Sequence, residues 1–203
     1  MNIKSLICFI TDGSDEESVL KALRSGILWI QYREKGLTRG EMFYKASRLR
    51  EITRKFNACF IVNDHVDIAF IVDADGVHLG QKDLPLKEAR KIMANSNKII
   101  GISTHNLTEA IEAEKGGADY IGFGSIFPTT TKNDAVVYGL DTLKKVKSFV
   151  NIPVIAIGGI NTDNVKSVLD AGCDGVAVSS GLLRGDVVEN ARRFLSIIEE
   201  VRQ

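Results

Sequence analysis

A single (β/α)8 barrel is the fold this sequence predicts, on three observations. Short apolar, β-branched runs alternate with longer amphipathic stretches from one end to the other, eight of each. No linker or low-complexity segment interrupts the alternation. A length of 203 residues at 44% hydrophobic suits one domain, 1–203, with a sizeable core. A doubly wound open sheet shares the same local signals, and the count of eight favours the closed form.

The predicted strands, in order, are Leu6–Thr11, Ile27–Tyr32, Ala58–Asn63, Gly76–Leu79, Lys98–Ile102, Tyr120–Gly124, Pro153–Ile157 and Gly175–Val178. Most are near-continuously apolar, the pattern of parallel strands covered on both faces. Between them the spacing predicts helices over Asp15–Ser25, Thr38–Phe56, Val66–Val72, Leu86–Asn95, Leu107–Gly116, Leu140–Val150, Asp163–Ala171 and Val187–Val201. Thr38 with Glu41 reads as a capping box, Asn106 and Asn161 as caps, and Gly117 and Gly172 as terminators. AGCDGVAV (Ala171–Val178) and GGADYIGF (Gly116–Phe123) share an order: helix end, small-residue turn, acid, strand. That is a weak structural repeat.

Composition narrows the classes of function. The 26 basic and 26 acidic residues cancel, which leaves no footprint for nucleic acid or an anionic membrane. Any basic site is therefore local and aimed at a small ligand. Cys8, Cys59 and Cys173 lack metal-type spacing, and with no signal peptide or apolar run of membrane length the sequence predicts free thiols and a cytoplasmic protein. A homodimer is left open.

The strand ends where a barrel keeps its active site are unusually polar. They carry Gln31-Tyr32-Arg33-Glu34-Lys35, Asn63-Asp64-His65, His78 with Gln81-Lys82-Asp83, Ser103-Thr104-His105, the Thr129–Lys132 loop, Gly158-Gly159 and Ser179-Ser180. The strand-starting ends show no such set. In YIGFGSIFPTTTK (Tyr120–Lys132), Thr129, Thr130, Thr131 and Lys132 display hydroxyls and a cation suited to a phosphate, or simply form a polar loop. Gln31, Arg33 and Lys35 face one way if their strand persists, and would clamp a charged anion; otherwise they are a solvated end with Glu34 paired to a base.

Asp64 and Asp83 lie at adjacent strand ends. Two carboxylates there suit Mg²⁺ shared with substrate phosphate, or else serve as a helix cap and a turn residue. His65, His78 and His105 lack close ligand spacing. Gly158-Gly159-Ile160-Asn161 with Ser179-Ser180-Gly181 read as a backbone-lined phosphate site or as two tight turns. The mouth thus holds a cationic anion site with a carboxylate pair and a second, neutral one. Two such sites fit two phosphorylated substrates.

QYREKG (Gln31–Gly36), NDHVDIA (Asn63–Ala69), DGVHLGQKDLP (Asp75–Pro85), GISTH (Gly101–His105), DYIGFGSIFPTTTK (Asp119–Lys132), IPVIAIGGI (Ile152–Ile160) and AGCDGVAVSS (Ala171–Ser180) occur in this order and cover nearly the whole chain. Together they resemble the thiamine-phosphate synthase family. The resemblance implies a (β/α)8 barrel that joins a hydroxymethylpyrimidine diphosphate to a thiazole phosphate with Mg²⁺, releasing diphosphate. It implies that Gln31, Tyr32, Arg33, Glu34, Lys35, Asn63, Ser103 and Lys132 hold the pyrimidine diphosphate. By the same likeness Asp64 and Asp83 hold the metal, and Thr129, Thr130, Thr131, Gly159, Ser179 and Ser180 hold the thiazole phosphate. Arg33, Lys35, Ser103 and Lys132 would carry the chemistry. A thiazole tautomerase of the same superfamily would be expected to lose the Asn-Asp pair, the GQ-x-D motif and the TTTK loop, all present here. A non-catalytic thiazole-phosphate binder would tolerate loss of the charged clamp, which is intact. Ser179, Ser125 and the segment Asn133–Gly139 depart from the family pattern.

Overall fold

The computed structural model describes residues 6–11, 13, 15–94, 97–129 and 136–202. Eight parallel strands close on themselves in sequence order, each hydrogen-bonded to the next and the last to the first. They are β1 (Ile7–Ile10), β2 (Trp29–Tyr32), β3 (Cys59–Asn63), β4 (Gly76–Leu79), β5 (Ile99–Thr104), β6 (Tyr120–Phe123), β7 (Val154–Ile157) and β8 (Gly175–Val178). The helices are α1 (Glu16–Arg24), α2 (Arg39–Lys55), α3 (Val66–Ile71), α4 (Leu86–Ile92), α5 (Leu107–Lys115), α6 (Gly139–Phe149), α7 (Val165–Asp170), α8 (Ser180–Leu183) and α9 (Val187–Arg202). All eight predicted strands and all eight predicted helices are present; the short α8 is additional. The closed barrel is the architecture expected, and the open sheet is excluded by the β1–β8 pairing.

Local chemistry sets the helix ends. The Thr38 hydroxyl accepts from the Glu41 amide while the Glu41 carboxylate accepts from the Thr38 amide at 2.8 Å, completing the capping box. Asn106 caps α5 by accepting from the Glu109 amide at 2.9 Å. Asn161 does not cap: its side chain accepts from the Asp163 amide within a turn, and α7 begins after Asn164. Gly117 and Gly172 follow their helices with φ of +86° and +90°, as expected for terminating glycines.

Alternation along the strands sorts the side chains into two cores. Outward positions such as Phe9, Ile30, Tyr32, Phe60, Val62, Ile100 and Phe123 meet the helices. Inward positions form a separate cluster in the lumen: Cys8, Ile10, Trp29, Ile61, Tyr120, Ile155 and Ala177. Trp29 and Tyr120 meet edge to face with centroids 5.2 Å apart. The Tyr120 ring lies where any side chain on residue 101 would be, because a Cβ at Gly101 would sit 2.1 Å from the ring. An aromatic pair fills this lumen where branched aliphatics are usual.

The strand-starting end is not bare of charge, contrary to the sequence reading. Before β4, β6 and β8 stands an aspartate that repeats one device. Asp75 accepts the Phe60 amide at 2.7 Å and pairs with Arg50 of α2; Asp119 accepts the Ile100 amide at 2.7 Å and pairs with Arg90 of α4. Asp174 accepts the Val154 amide at 2.7 Å and pairs with Lys147 of α6. Each aspartate amide also returns a hydrogen bond to the carbonyl of the same partner residue, at 2.8–2.9 Å. The repeat seen in two sequence segments thus has a third copy at Asp75, and its cause is this pin between strand, helix and next strand. Asp119→Ala leaves a partly buried amide and an arginine without their acceptor. The expected loss is about 1–3 kcal/mol in urea unfolding, with turnover per folded molecule unchanged.

Candidate active site

Where the strands finish, the lumen turns polar. Asn63 and Ser103 continue the inward parity of Ile61 and Ile99, and Ser179 that of Ala177, so all three belong to the mouth. β2 ends at Tyr32, yet the chain stays extended for one more residue because Thr11 of the neighbouring segment brackets it. The Arg33 amide donates to Thr11 Oγ1, and that hydroxyl donates to the Arg33 carbonyl, both at 3.1 Å. Arg33 and Lys35 both lie close enough to Asp64 to draw its pKa down.

The same stretch corrects two expectations. The Tyr32 side chain packs outward into the helix-side core, so it does not face the mouth. The Glu34 carboxylate pairs with Lys45 of α2 at 2.6 Å and accepts from the Lys35 amide, so it braces the loop. Gln31 faces inward, on the parity of Trp29, but is buried.

Asp64 and Asp83 converge. Asp64 adopts φ +64°, and its amide donates to the His78 carbonyl at 2.8 Å, tying the end of β3 to β4. It does not cap α3, whose first turn has no side-chain cap. Asp83 is a turn residue, accepting the Gly80 amide at 2.6 Å, and its carboxylate lies near enough to Asp64 to raise that group's pKa. Burial first, and Asp83 beside it second, push Asp64 up to about 6, against the pull of Arg33 and Lys35. Two carboxylates set side by side fit a hard cation that would offset their repulsion. His65 is bonded to Arg39 and His105 to Glu109, and among the described residues no cluster of three or more His, Cys, Asp or Glu is gathered for a metal.

Across the mouth lies a cavity of about 420 Å³ lined by Thr129, Gly159, Asn161, Ser180, Gly181 and Arg184, among others. Gly159 has φ +64°, and a Cβ there would meet the Pro128 carbonyl at 2.4 Å; only glycine fits the wall. Asn164 holds the loop by donating to the Gly159 carbonyl at 2.9 Å. Ser180 and Gly181 open α8, so their amides have no helical carbonyl behind them. This side is not purely neutral as read from sequence: Arg184 and Asp163 also line it. Arg184 was missed because it follows a short helix that apolar periodicity does not reveal. Thr130, Thr131 and Lys132 lie outside the described residues.

One buried group also escaped assignment. His78 is 6% exposed, with Nδ1 2.9 Å from the Tyr120 hydroxyl and Nε2 2.8 Å from Ser103 Oγ. Burial lowers its pKa to about 4, so the imidazole is neutral at pH 7. The sequence placed His78 at a strand end but offered no partner for it.

A closed barrel whose finishing rim sets a carboxylate pair and two cations against a separate glycine-walled cavity belongs to the class of (β/α)8 proteins with room for two anionic groups. The family model described as thiamine monophosphate synthase matches residues 7–182. The thiamine-phosphate synthase of Pyrococcus furiosus is 50% identical over 91% of this chain and 89% of its own length. That of Chloroflexus aurantiacus is 45% identical over 96% and 90%. A solved thiamine phosphate pyrophosphorylase from Pyrococcus furiosus superposes with a TM-score of 0.92 at 46% identity, covering 99% of this chain and 98% of that one. The chain belongs to the thiamine-phosphate synthase family. No helix among the described residues is long and apolar enough to cross a membrane.

Proposed function

We propose that the two halves of the mouth bind the two substrates of thiamine-phosphate synthesis, the β2–β5 side a pyrimidine diphosphate and the β6–β8 side a thiazole phosphate. The relatives are named for this activity, and their near-complete overlap carries it to this chain. The observation that supports the division is its one-sidedness: Arg33, Lys35, Asp64 and Asp83 gather on one side, and the cavity with Gly159, Ser180 and Arg184 lies on the other.

The bond between the pyrimidine CH₂ and diphosphate breaks with its electron pair leaving on oxygen. The electron-rich aminopyrimidine carries the resulting positive charge, and the thiazole nitrogen closes the new C–N bond with its own lone pair. No general base is needed to make that nucleophile. Arg33 and Lys35 receive the growing negative charge, Asn63 and Ser103 orient the pyrimidine end, and Lys132 closes the clamp by its likeness to the family motif. Asp64 and Asp83 would hold Mg²⁺, which when bound neutralises the departing diphosphate. Thr129, Thr130, Thr131, Gly159, Ser179 and Ser180 would hold the thiazole phosphate.

The test is diphosphate release from purified protein given both substrates, each alone, and both with EDTA. Release that needs both substrates and metal, with thiamine phosphate appearing in step, is the expected outcome. Release with one substrate alone would assign the mouth to a hydrolase and overturn the reading.

A further inference from the structure

The ladder between β1 and β2 finishes on a side chain. Its register runs from Phe9 beside Ile30 to Ile10 beside Gln31, and the Thr11 amide then donates to the Gln31 carbonyl at 3.0 Å. In a regular parallel pair the next bond would run from the Arg33 amide to the Thr11 carbonyl. Here the Arg33 amide donates to Thr11 Oγ1 instead, at 3.1 Å, and that hydroxyl gives its own proton to the Arg33 carbonyl, also at 3.1 Å. The Gly13 amide reaches the same carbonyl at 3.3 Å. Both backbone groups of Arg33 are thus held by the segment that follows β1.

Thr11 is 1% exposed, so water does not compete for its hydroxyl. A hydroxyl has a single proton, and this one is committed to the Arg33 carbonyl while the oxygen accepts from the Arg33 amide. Branching at Cβ also narrows the choice of side-chain rotamer. The bracket keeps the chain extended past the end of β2, so Arg33 shares the inward parity of Trp29 and its side chain leads over the mouth. The guanidinium arrives close enough to Asp64 to feel that charge.

We propose that Thr11 is a positioning residue for the departure of diphosphate: its hydroxyl fixes the backbone from which Arg33 meets the leaving oxygens. Thr11 touches no substrate in this arrangement. It acts through Arg33, because a cation displaced by about 1 Å loses much of its hold on charge that develops only as the C–O bond breaks.

This inference rests on the reading that the β2–β5 side takes the diphosphate, and a double-mutant cycle separates the two. Thr11→Val keeps the size and branching of the side chain and removes both hydrogen bonds. Single-turnover diphosphate release is measured in the parent enzyme, Thr11→Val, Thr11→Ser, Arg33→Ala and the Thr11→Val/Arg33→Ala double variant, with KM for the thiazole phosphate taken alongside. Thr11→Val is expected to slow release about tenfold with that KM unchanged, and Thr11→Ser, which returns a hydroxyl, to recover most of the rate. In the Arg33→Ala background the same Thr11→Val change should cost less than about twofold, since the group it positions is gone. Thr11→Ala carries the same comparison if Thr11→Val fails to fold. An equal loss in both backgrounds would mean that the hydroxyl serves the fold alone, and overturns the inference. So does a fast Thr11→Val beside a slow Arg33→Ala. Full activity in Arg33→Ala overturns the placement of the diphosphate instead.

Discussion

Asp64→Asn is expected to unfold at higher denaturant than the parent protein and to turn over at least about 100-fold more slowly. Both effects have one cause. In the metal-free protein Asp64 is raised from its ordinary value to about 6, so between pH about 4 and 6 the folded state keeps a proton that the unfolded chain has released. Stability therefore falls as pH rises through that window, and above it the buried, crowded carboxylate opposes folding in full. Asparagine removes the penalty, and after solvent screening of this partly exposed pair the gain is about 1 kcal/mol at pH 7. The same proton competes with a cation, so in the parent enzyme the apparent metal affinity should drop steeply as pH falls below about 6. Urea titrations of both proteins at pH 5 and pH 8, with magnesium-dependent kinetics alongside, check this. A variant that loses stability and activity together would make the pair a structural element instead.

Gly159→Ala is expected to separate the two substrates. The added methyl group would sit 2.4 Å from the Pro128 carbonyl on a backbone already at φ +64°, so the wall of the cavity has to shift. KM for the thiazole phosphate should rise by about 10- to 100-fold, since a displaced loop misaligns several hydrogen-bond donors at once. Binding of the pyrimidine diphosphate, followed by calorimetry, should be unchanged because Arg33, Lys35 and Asp64 lie across the mouth. An equal loss on both sides would mean the cavity does not hold one substrate alone.

The sequence revealed most of what backbone pattern controls. Runs such as Ile7–Ile10 and Val154–Ile157 are apolar on both faces, and glycines close helices at fixed places, so strand order and rim could be read directly. What it hid depends on contacts between distant segments. Tyr32 and Arg33 are neighbours, yet one enters the outer core and the other is held at the mouth by Thr11, a residue 22 positions away. Glu34 looked like part of an anion clamp until α2 delivered Lys45 to it. His78 gave no signal because its partners, Tyr120 and Ser103, come from β6 and β5. Asp64 kept two readings open until the fold left α3 without a side-chain cap and brought Asp83 alongside. Arg184 sits beyond a four-residue helix too short to show a period.

The three aspartate pins at the starting rim set the terms on which the other rim can change. Each joins two successive strands to the helix that precedes the first of them, through strand contacts spanning 15, 19 or 20 residues, so each such segment carries its own fastening. None of the pins reaches the loops at the opposite end. Those loops are accordingly open to replacement, lengthening or grafting while the barrel beneath stays shut. A scaffold of this kind suits the redesign of substrate choice: new chemistry can be written on one face without re-solving the fold from which it hangs.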